Sequence, residues 1–291
     1  MRARHIVAFS LLVVILVSMW TSIARAQGAH GYMMDRLRAE AAAHPDLKFS
    51  SEGKKLRFYS ALDNSVFRPD GAGPFPAIVL VHTCGGIGEH SRYWTEEFLK
   101  HGFAVLVVDS LGPRGVKDVC GGPFAARVGV GRGVKDAFDA LVHLQKLGFV
   151  DAKRIGLVGT SWGGIMGLLV SSKALADAFS PGQRFGAVVS LYGDCLLRDD
   201  VDRPLLVLMG EADTETPPAP CVPALQALKE RGAPVEWHVY ATITHAWDRR
   251  ELHNFRRTDW KGSSVVYLYS KEATEDSGRR IVDFMERRLG K

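Results

Sequence analysis

The chain of 291 residues is sparing with cysteine and places it late: there are four, and none before Cys84. A lipid-modified cysteine near the amino terminus is therefore excluded. No Cys-x-x-Cys and no His-Glu-x-x-His occurs, which argues against a zinc site. The first 26 residues lack Asp and Glu altogether, and their apolar segment, 6–20, falls short of the roughly 20 residues that a membrane helix needs. No internal repeat, low-complexity tract or second domain is visible. Gly129-Val130-Gly131-Arg132-Gly133 lacks the Gly-Lys-Ser/Thr ending of a phosphate loop and does not directly follow a strand, so it reads as a lead-in to a helix. Charge excess is slight too. The formal net charge is +5, from 37 basic and 32 acidic residues. Three of the arginines lie within residues 1–26, and without them 34 basic groups face 32 acidic ones, a net of +2. That balance gives no support for a nucleic acid or an anionic membrane as partner.

What is present begins with a secretory pattern. Arg2 and Arg4 precede the apolar segment, and Ala24-Arg25-Ala26 fits a small-x-small cleavage site. Residues 1–26 are thus expected to be a signal peptide, directing the protein to the periplasm or the medium with no stable membrane partner after cleavage. The alternative is an uncleaved signal that anchors the chain. Cleavage leaves 265 of the 291 residues, a size that suits one α/β domain. Four cysteines in an exported protein suggest two disulfides, with three possible connectivities. Cys84–Cys120 and Cys195–Cys221 are the favoured pairs, since each lies in loops expected to follow strands at the same sheet edge.

Residues 27–50 read as a leader with a helix at 33–43, and the domain proper starts near Ser51. Strands are expected at 55–60, 75–82, 103–109, 154–158, 186–192, 204–210 and 235–240, several of them nearly continuous in apolar residues. Helices are expected at 94–101, 134–147, 165–170 and 272–289. The alternation predicts an α/β fold with a mainly parallel central sheet flanked by helices. Residues 249–270 are irregular and rich in charge and aromatics, and read either as a cover over the site or as a surface excursion.

Gly159-Thr160-Ser161-Trp162-Gly163 sits between the apolar run at 154–158 and the helical run at 165–170. A Gly-x-Ser-x-Gly in that setting reads as a nucleophile elbow, a tight turn that lifts the serine hydroxyl clear of the sheet. Such a serine needs an acid and a histidine from later strand ends, in the order Ser…Asp…His. Asp213 follows the 204–210 strand and His245 follows the 235–240 strand. Ser161 is thus the candidate nucleophile, His245 its general base and Asp213 the group that orients the imidazole. Glu211 and Asp194 are rival acids. His82 is expected to brace its loop through a hydrogen bond.

At these residues the chain resembles the dienelactone hydrolase family of the α/β-hydrolases. The likeness runs over residues 50–290 and rests on His82-Thr83-Cys84-Gly85-Gly86, Asp109-Ser110-Leu111-Gly112-Pro113-Arg114-Gly115, the elbow, Gly210-Glu211-Ala212-Asp213-Thr214 and His245-Ala246-Trp247. It implies an α/β-hydrolase catalytic domain over 51–291 that cleaves a small carboxylic ester or lactone through an acyl-enzyme, with no metal or organic cofactor. It also implies an oxyanion hole of backbone N–H groups from Trp162 and from Cys84 or Thr83, and substrate contacts from Arg114 and Arg249, each able to clamp a carboxylate. The sequence departs from the family in two places: Ser161 stands where a cysteine nucleophile is usual, and Thr83-Cys84 stands where the oxyanion loop carries a carboxylate. Both departures point to serine-ester chemistry, and an exported protein would expose a nucleophilic thiol to oxidation. Acyl transfer or peptide cleavage on the same fold, and a non-catalytic binding protein, are the rival functions.

Overall fold

The computed structural model describes residues 31–121, 127–259 and 262–290. The expected signal peptide, 1–26, lies outside them. Helix α1 (31–42) leads into two short strands, β1 (Gly53–Lys54) and β2 (Val66–Phe67). There follow β3 (Phe75–Val81), α2 (Glu89–Lys100), β4 (Ala104–Val108), α3 (Val130–Leu144) and β5 (Val150–Thr160). The second half adds α4 (Trp162–Val170), α5 (Lys173–Phe179), β6 (Ala187–Leu191), β7 (Leu205–Gly210), α6 (Cys221–Glu230) and β8 (Val235–Tyr240). A small antiparallel pair, β9 (Arg256–Thr258) and β10 (Ser264–Val266), precedes the closing helix α7 (Lys271–Leu289). Strands β1 to β8 form one sheet in the order β1-β2-β4-β3-β5-β6-β7-β8, parallel throughout except where β2 meets β4.

The sheet is parallel because its central strands are apolar on both faces and must be covered on both. Side chains alternate between two cores with the period of two that a strand imposes. Ile78, Leu80, Val105, Val107, Leu206 and Leu208 pack with Trp94 and Phe98 of α2 and with Ile281 and Phe284 of α7. Val79, Val81, Leu106, Val108, Leu205 and Val207 pack on the opposite face with Leu37 of α1, Leu141 of α3, Leu168 of α4, Leu175 of α5 and Leu225 of α6. Each such aliphatic or Phe side chain, fully buried, contributes about 1.5–3 kcal/mol. Helix α7 starts where the Ser270 hydroxyl accepts the Ala273 N–H at 3.2 Å, a cap worth about 1 kcal/mol.

Two expectations are corrected. No strand forms at 55–60. The Ser60 N–H donates to the Arg57 carbonyl and the Arg57 N–H to the Ser60 hydroxyl, both at 2.9 Å, so the segment closes into a turn. Its Phe58 and Tyr59 point outward, 95% and 83% exposed. The boundary drawn near residue 50 is not a packing boundary either. Met34, Leu37 and Ala41 of α1 are buried, and the Gly131 N–H of α3 donates to Glu40 at 2.8 Å. A β-carbon on Gly131 would stand 2.0 Å from the Leu37 carbonyl oxygen, so this glycine exists to let α1 lie on α3. That accounts for part of the glycine-rich stretch.

Candidate active site

The elbow is built by backbone crowding. Strand β5 ends at Thr160 and α4 begins at Trp162, which leaves Ser161 alone to reverse the chain, at φ 51° and ψ −110°. A positive φ strains any residue with a β-carbon and persists only where the surroundings enforce it. Here the Ser161 N–H donates to the Leu191 carbonyl at 2.9 Å and the Gly163 N–H to the His82 carbonyl at 3.0 Å, fixing the turn against β6 and the end of β3. A β-carbon on Gly159 would meet the Gly163 oxygen at 2.0 Å, and one on Gly163 would meet the Val81 oxygen at 2.3 Å. Both glycines are therefore steric requirements of the turn.

The ends of β7 and β8 bring the other two side chains to the serine. His245 Nε2 lies 3.0 Å from Ser161 Oγ, and His245 Nδ1 lies 2.7 Å from Asp213 Oδ2. All three residues are buried. The second carboxylate oxygen of Asp213 accepts the N–H groups of Glu215 at 2.9 Å and Thr216 at 2.8 Å, while the Thr216 hydroxyl sits 2.7 Å from Oδ2. Burial alone would raise the Asp213 pKa, but the His245 imidazole and these donors outweigh it, and the carboxyl titrates below its ordinary range. For His245, burial pulls the pKa down and the Asp213 carboxylate more than restores it, leaving the imidazole raised above 6.5. The rivals face elsewhere. Asp194 is exposed and accepts its neighbour's Cys195 N–H, and Glu211 is exposed and accepts from Thr242.

Behind His245 lies a group that sequence reasoning missed. Asp248 is buried and accepts from the Tyr192 hydroxyl and the Trp94 indole N–H, each at 2.7 Å. Burial raises the Asp248 pKa against both donors, and it raises that of Tyr192 strongly, helped by the carboxylate beside it. The Tyr192 ring stands edge-on to the His245 imidazole with centroids 4.9 Å apart. These contacts fix the loop that carries the histidine. Thr216 was legible in principle, since Asp-x-x-Thr commonly folds into a local side-chain-to-backbone turn. Tyr192 and Trp94 carry no such local signal.

A cavity of about 240 Å³ opens over Ser161 and His245. Thr83, Cys84, Asp118 and Cys120 line it, together with Glu215, Arg249, Leu252, Phe255, Arg257 and Tyr267. Five side chains of the stretch 249–270, at Arg249, Leu252, Phe255, Arg257 and Tyr267, thus line the cavity. Glu215 ties that stretch to the Asp213 loop by accepting from Arg257 and from the Tyr267 hydroxyl, and its Oε2 lies 3.9 Å from His245 Nε2. The lining residues Cys84 and Cys120 are bonded to each other, while Cys195–Cys221 joins the loop after β6 to the start of α6. Both disulfides are the pairs favoured from the sequence, and they suit a protein matured in an oxidising compartment. A wider surface groove of about 740 Å³, lined by Phe58, Leu62 and Tyr93 among others, contains none of Ser161, Asp213 and His245.

Trp162 is the first residue of α4, so its N–H has no partner within the helix, and Thr83 and Cys84 line the cavity. His82 Nε2 accepts the Ser110 N–H at 3.1 Å and its Nδ1 donates to the Thr83 carbonyl at 2.6 Å, holding that loop in place. Of the two arginines, Arg249 lines the cavity and pairs with Glu251 at 2.8 Å. Arg114 does not reach the cavity, which corrects its expected role as a substrate clamp. Its side chain is 3% exposed and forms a two-pronged pair with Asp136 at 2.7 and 2.9 Å, with further bonds to the Ser110 and Pro45 carbonyls. Asp136, fully buried, is shared with Arg132, whose guanidinium also binds the Ala41 and His44 carbonyls. Arg114 is an internal strut between α3 and the segment that follows α1. Among the described residues no group of His, Cys, Asp and Glu could hold a metal ion, and no helix is long and apolar enough to cross a membrane.

The sequence profile of the dienelactone hydrolase family matches residues 62–289. A protein of Methylorubrum extorquens with the provisional name carboxymethylenebutenolidase is 23% identical over 236 residues, which is 74% of this chain and 73% of that protein. Among solved structures, a dienelactone hydrolase-like promiscuous phosphotriesterase from metagenomic libraries superposes with a TM-score of 0.59 at 16% identity, covering 75% of this chain and 88% of its own. A thermophilic esterase of the planctomycete Thermogutta terrifontis, solved with butyrate bound, gives 0.56 at 15% identity, covering 83% and 96%. At such identities the likeness to these structures concerns the fold.

Proposed function

Because the chain belongs to the dienelactone hydrolase family, and is an ester-hydrolysing enzyme, we propose that it cleaves small carboxylic esters or lactones through an acyl-enzyme on Ser161. The observation that carries this reading is the unbroken line from Ser161 Oγ through His245 to Asp213, at the floor of a cavity. The steps follow from the chemistry of the three groups. His245 Nε2 takes the serine proton as Oγ attacks the substrate carbonyl, and Asp213 stabilises the imidazolium that forms. Backbone N–H groups of Trp162 and Cys84 hold the oxygen that becomes negative. His245 then protonates the leaving oxygen, and water repeats the sequence to free the acid.

The cavity supports a small substrate. At about 240 Å³ it lies below the range of roughly 300–1,000 Å³ in which larger ligands are held. Arg249, one of two arginines at the cavity beside Arg257, can meet an anionic group on the substrate. The enzyme acts outside the cytoplasm, where its two disulfides form, after loss of residues 1–26; a mature protein starting at Gln27 is the expected product, read by amino-terminal sequencing.

A serine-directed fluorophosphonate tests the reading. Wild type should gain one adduct, at Ser161, and Ser161→Ala none. A panel of short-chain, long-chain, acidic and lactone substrates should favour the short and cyclic ones. Products formed with an alcohol acceptor separate hydrolysis from acyl transfer. Equal ester turnover by wild type and Ser161→Ala would overturn the assignment.

A further inference from the structure

Among the residues lining the cavity, Thr83 has a hydroxyl that is buried without a hydrogen-bond partner. The residue is 2% exposed. A buried hydroxyl with no partner is costly, and native structures rarely keep one without a reason. Valine would fill the same volume without that cost. Thr83 also lines the cavity that opens over Ser161 and His245. A β-carbon on Gly85 would stand 3.8 Å from Thr83 Oγ1, 3.7 Å from Arg249 Nη1 and 3.9 Å from Cys120 Sγ, so the threonine oxygen shares its surroundings with two other cavity-lining residues.

Its position is rigid. Thr83 follows the end of β3 by two residues, and the His82 carbonyl accepts the Gly163 N–H, which locks this loop to the first turn of α4. The Thr83 carbonyl accepts from Gly86 N–H at 3.0 Å and from His82 Nδ1 at 2.6 Å. Thr83 pairs with Gly86 in an isolated bridge, and the next residue, Cys84, is bonded to Cys120. A hydroxyl so placed needs no reorganisation to meet a charge that develops beside it.

We propose that the Thr83 hydroxyl is a side-chain donor to the oxyanion, acting beside the backbone N–H groups of Trp162 and Cys84. The inference rests on the Ser161 acyl-enzyme reading. As Ser161 Oγ bonds to the carbonyl carbon, the carbonyl electron pair moves onto oxygen and the serine proton moves to His245 Nε2. Thr83 donates a hydrogen bond to that oxygen and transfers no proton. When the intermediate collapses, the carbonyl reforms, the bond to the leaving oxygen breaks and His245 returns the proton to it. A donor to an anion is stronger than the same donor to a neutral carbonyl, so the hydroxyl acts on the transition state more than on bound substrate.

The test uses the full mature enzyme with 4-nitrophenyl acetate, on wild type, Thr83→Val, Thr83→Ser and Ser161→Ala, with melting curves and non-reduced intact mass to follow the fold and Cys84–Cys120. Thr83→Val is expected to lower kcat by about 100- to 1000-fold with KM little changed, as loss of one oxyanion donor does elsewhere. Thr83→Ser, which keeps the hydroxyl, should recover most of the rate. The affinity of a boronic acid inhibitor, whose tetrahedral adduct carries the negative charge, should fall in parallel with kcat across the three Thr83 forms. If Thr83→Val does not fold, Thr83→Ala against Thr83→Ser decides the same question. Wild-type kcat in a folded Thr83→Val, or in Thr83→Ala where that variant stands in, beside an inactive Ser161→Ala, overturns the Thr83 role and leaves the acyl-enzyme reading intact. A loss in Val or Ala that Ser does not recover also overturns it. Activity unchanged in Ser161→Ala would remove the underlying reading and this inference with it.

Discussion

The rim of strand ends and the cover formed by residues 249–259 and 262–267 meet at one cavity, yet they are held in different ways. On the rim, Ser161 and Asp213 follow directly from the parallel strands β5 and β7, and His245 follows β8 after a short turn. Their separations are set by strand spacing and by backbone bonds such as Ser161 N–H to the Leu191 carbonyl. On the cover, Leu252, Phe255, Arg257 and Tyr267 reach the cavity from a turn and a two-stranded ribbon that pairs with no other strand among the described residues. Beyond the backbone bond from the Arg249 N–H to the Ala246 carbonyl, its links to the rim run through side chains: Arg257 and Tyr267 to Glu215, the Thr214 hydroxyl to the Ser264 carbonyl and the Leu268 N–H to the Thr244 hydroxyl. A region fixed by a sheet can hold reacting atoms to a fraction of an ångström. A region fixed by a few side chains can vary its shape and charge without disturbing them, which suits substrate selection.

If that contrast holds, changes on the rim should strike kcat and changes on the cover should strike KM and selectivity. The largest effect is expected for Ser161→Ala, with ester hydrolysis falling by at least about 10⁴-fold while the melting temperature stays near wild type. Asp213→Asn should cost about 10⁴-fold in kcat, read on the same substrate, because the imidazole loses the partner that sets its tautomer. Arg114→Ala lies outside both regions and sharpens the contrast as a control. It leaves Asp136 with only Arg132 in the core, and chemical denaturation should show a loss of about 3–5 kcal/mol, with KM for acidic esters unchanged. On the cover, Arg257→Met should alter KM and the preference among esters by roughly threefold to tenfold, with kcat nearly constant, an effect of the size expected for a pocket contact. A large kcat loss there would erase the distinction.

The smallest effect concerns pH. In the proposed mechanism His245 must be neutral to accept the serine proton, and Asp213 raises its pKa above 6.5. The acid limb of kcat/KM should therefore lie above the ordinary histidine range, activity being lost as pH falls through it. Glu215 adds to that raise from 3.9 Å. Removing its charge in Glu215→Gln should move the limb slightly to lower pH, as measured by kcat/KM profiles of the two proteins.

Much of the site could be read along the chain because it is made of strand ends. Gly-x-Ser-x-Gly is a local steric solution, in which Gly159 and Gly163 have no room for a β-carbon, and that need is written in adjacent letters. Counting strands points to Asp213 and His245, and the structure brings both side chains beside Ser161, because each strand delivers one loop to the same edge. Asp248, Tyr192 and Trp94 were not found: the carboxylate lies 56 positions from its tyrosine and 154 from its tryptophan. Residues 55–60 misled because an alternation of apolar and polar letters is shared by a strand and by an exposed turn.

The two arginines show where the letters stop. Arg114 and Arg249 carry the same group and were given the same task. One is drawn into the interior by Asp136, which α3 presents from 22 positions away, and the other stays at the cavity. The sequence by itself determined the sheet, the elbow and the order of the three side chains, since hydrophobic period and glycine sterics act between neighbours. Tertiary structure decided which charges are buried together, that α1 belongs to the core and that Leu252, Phe255, Arg257 and Tyr267 line the cavity. Those outcomes depend on pairs brought within a few ångströms by the fold, and an ion pair has no period along the chain.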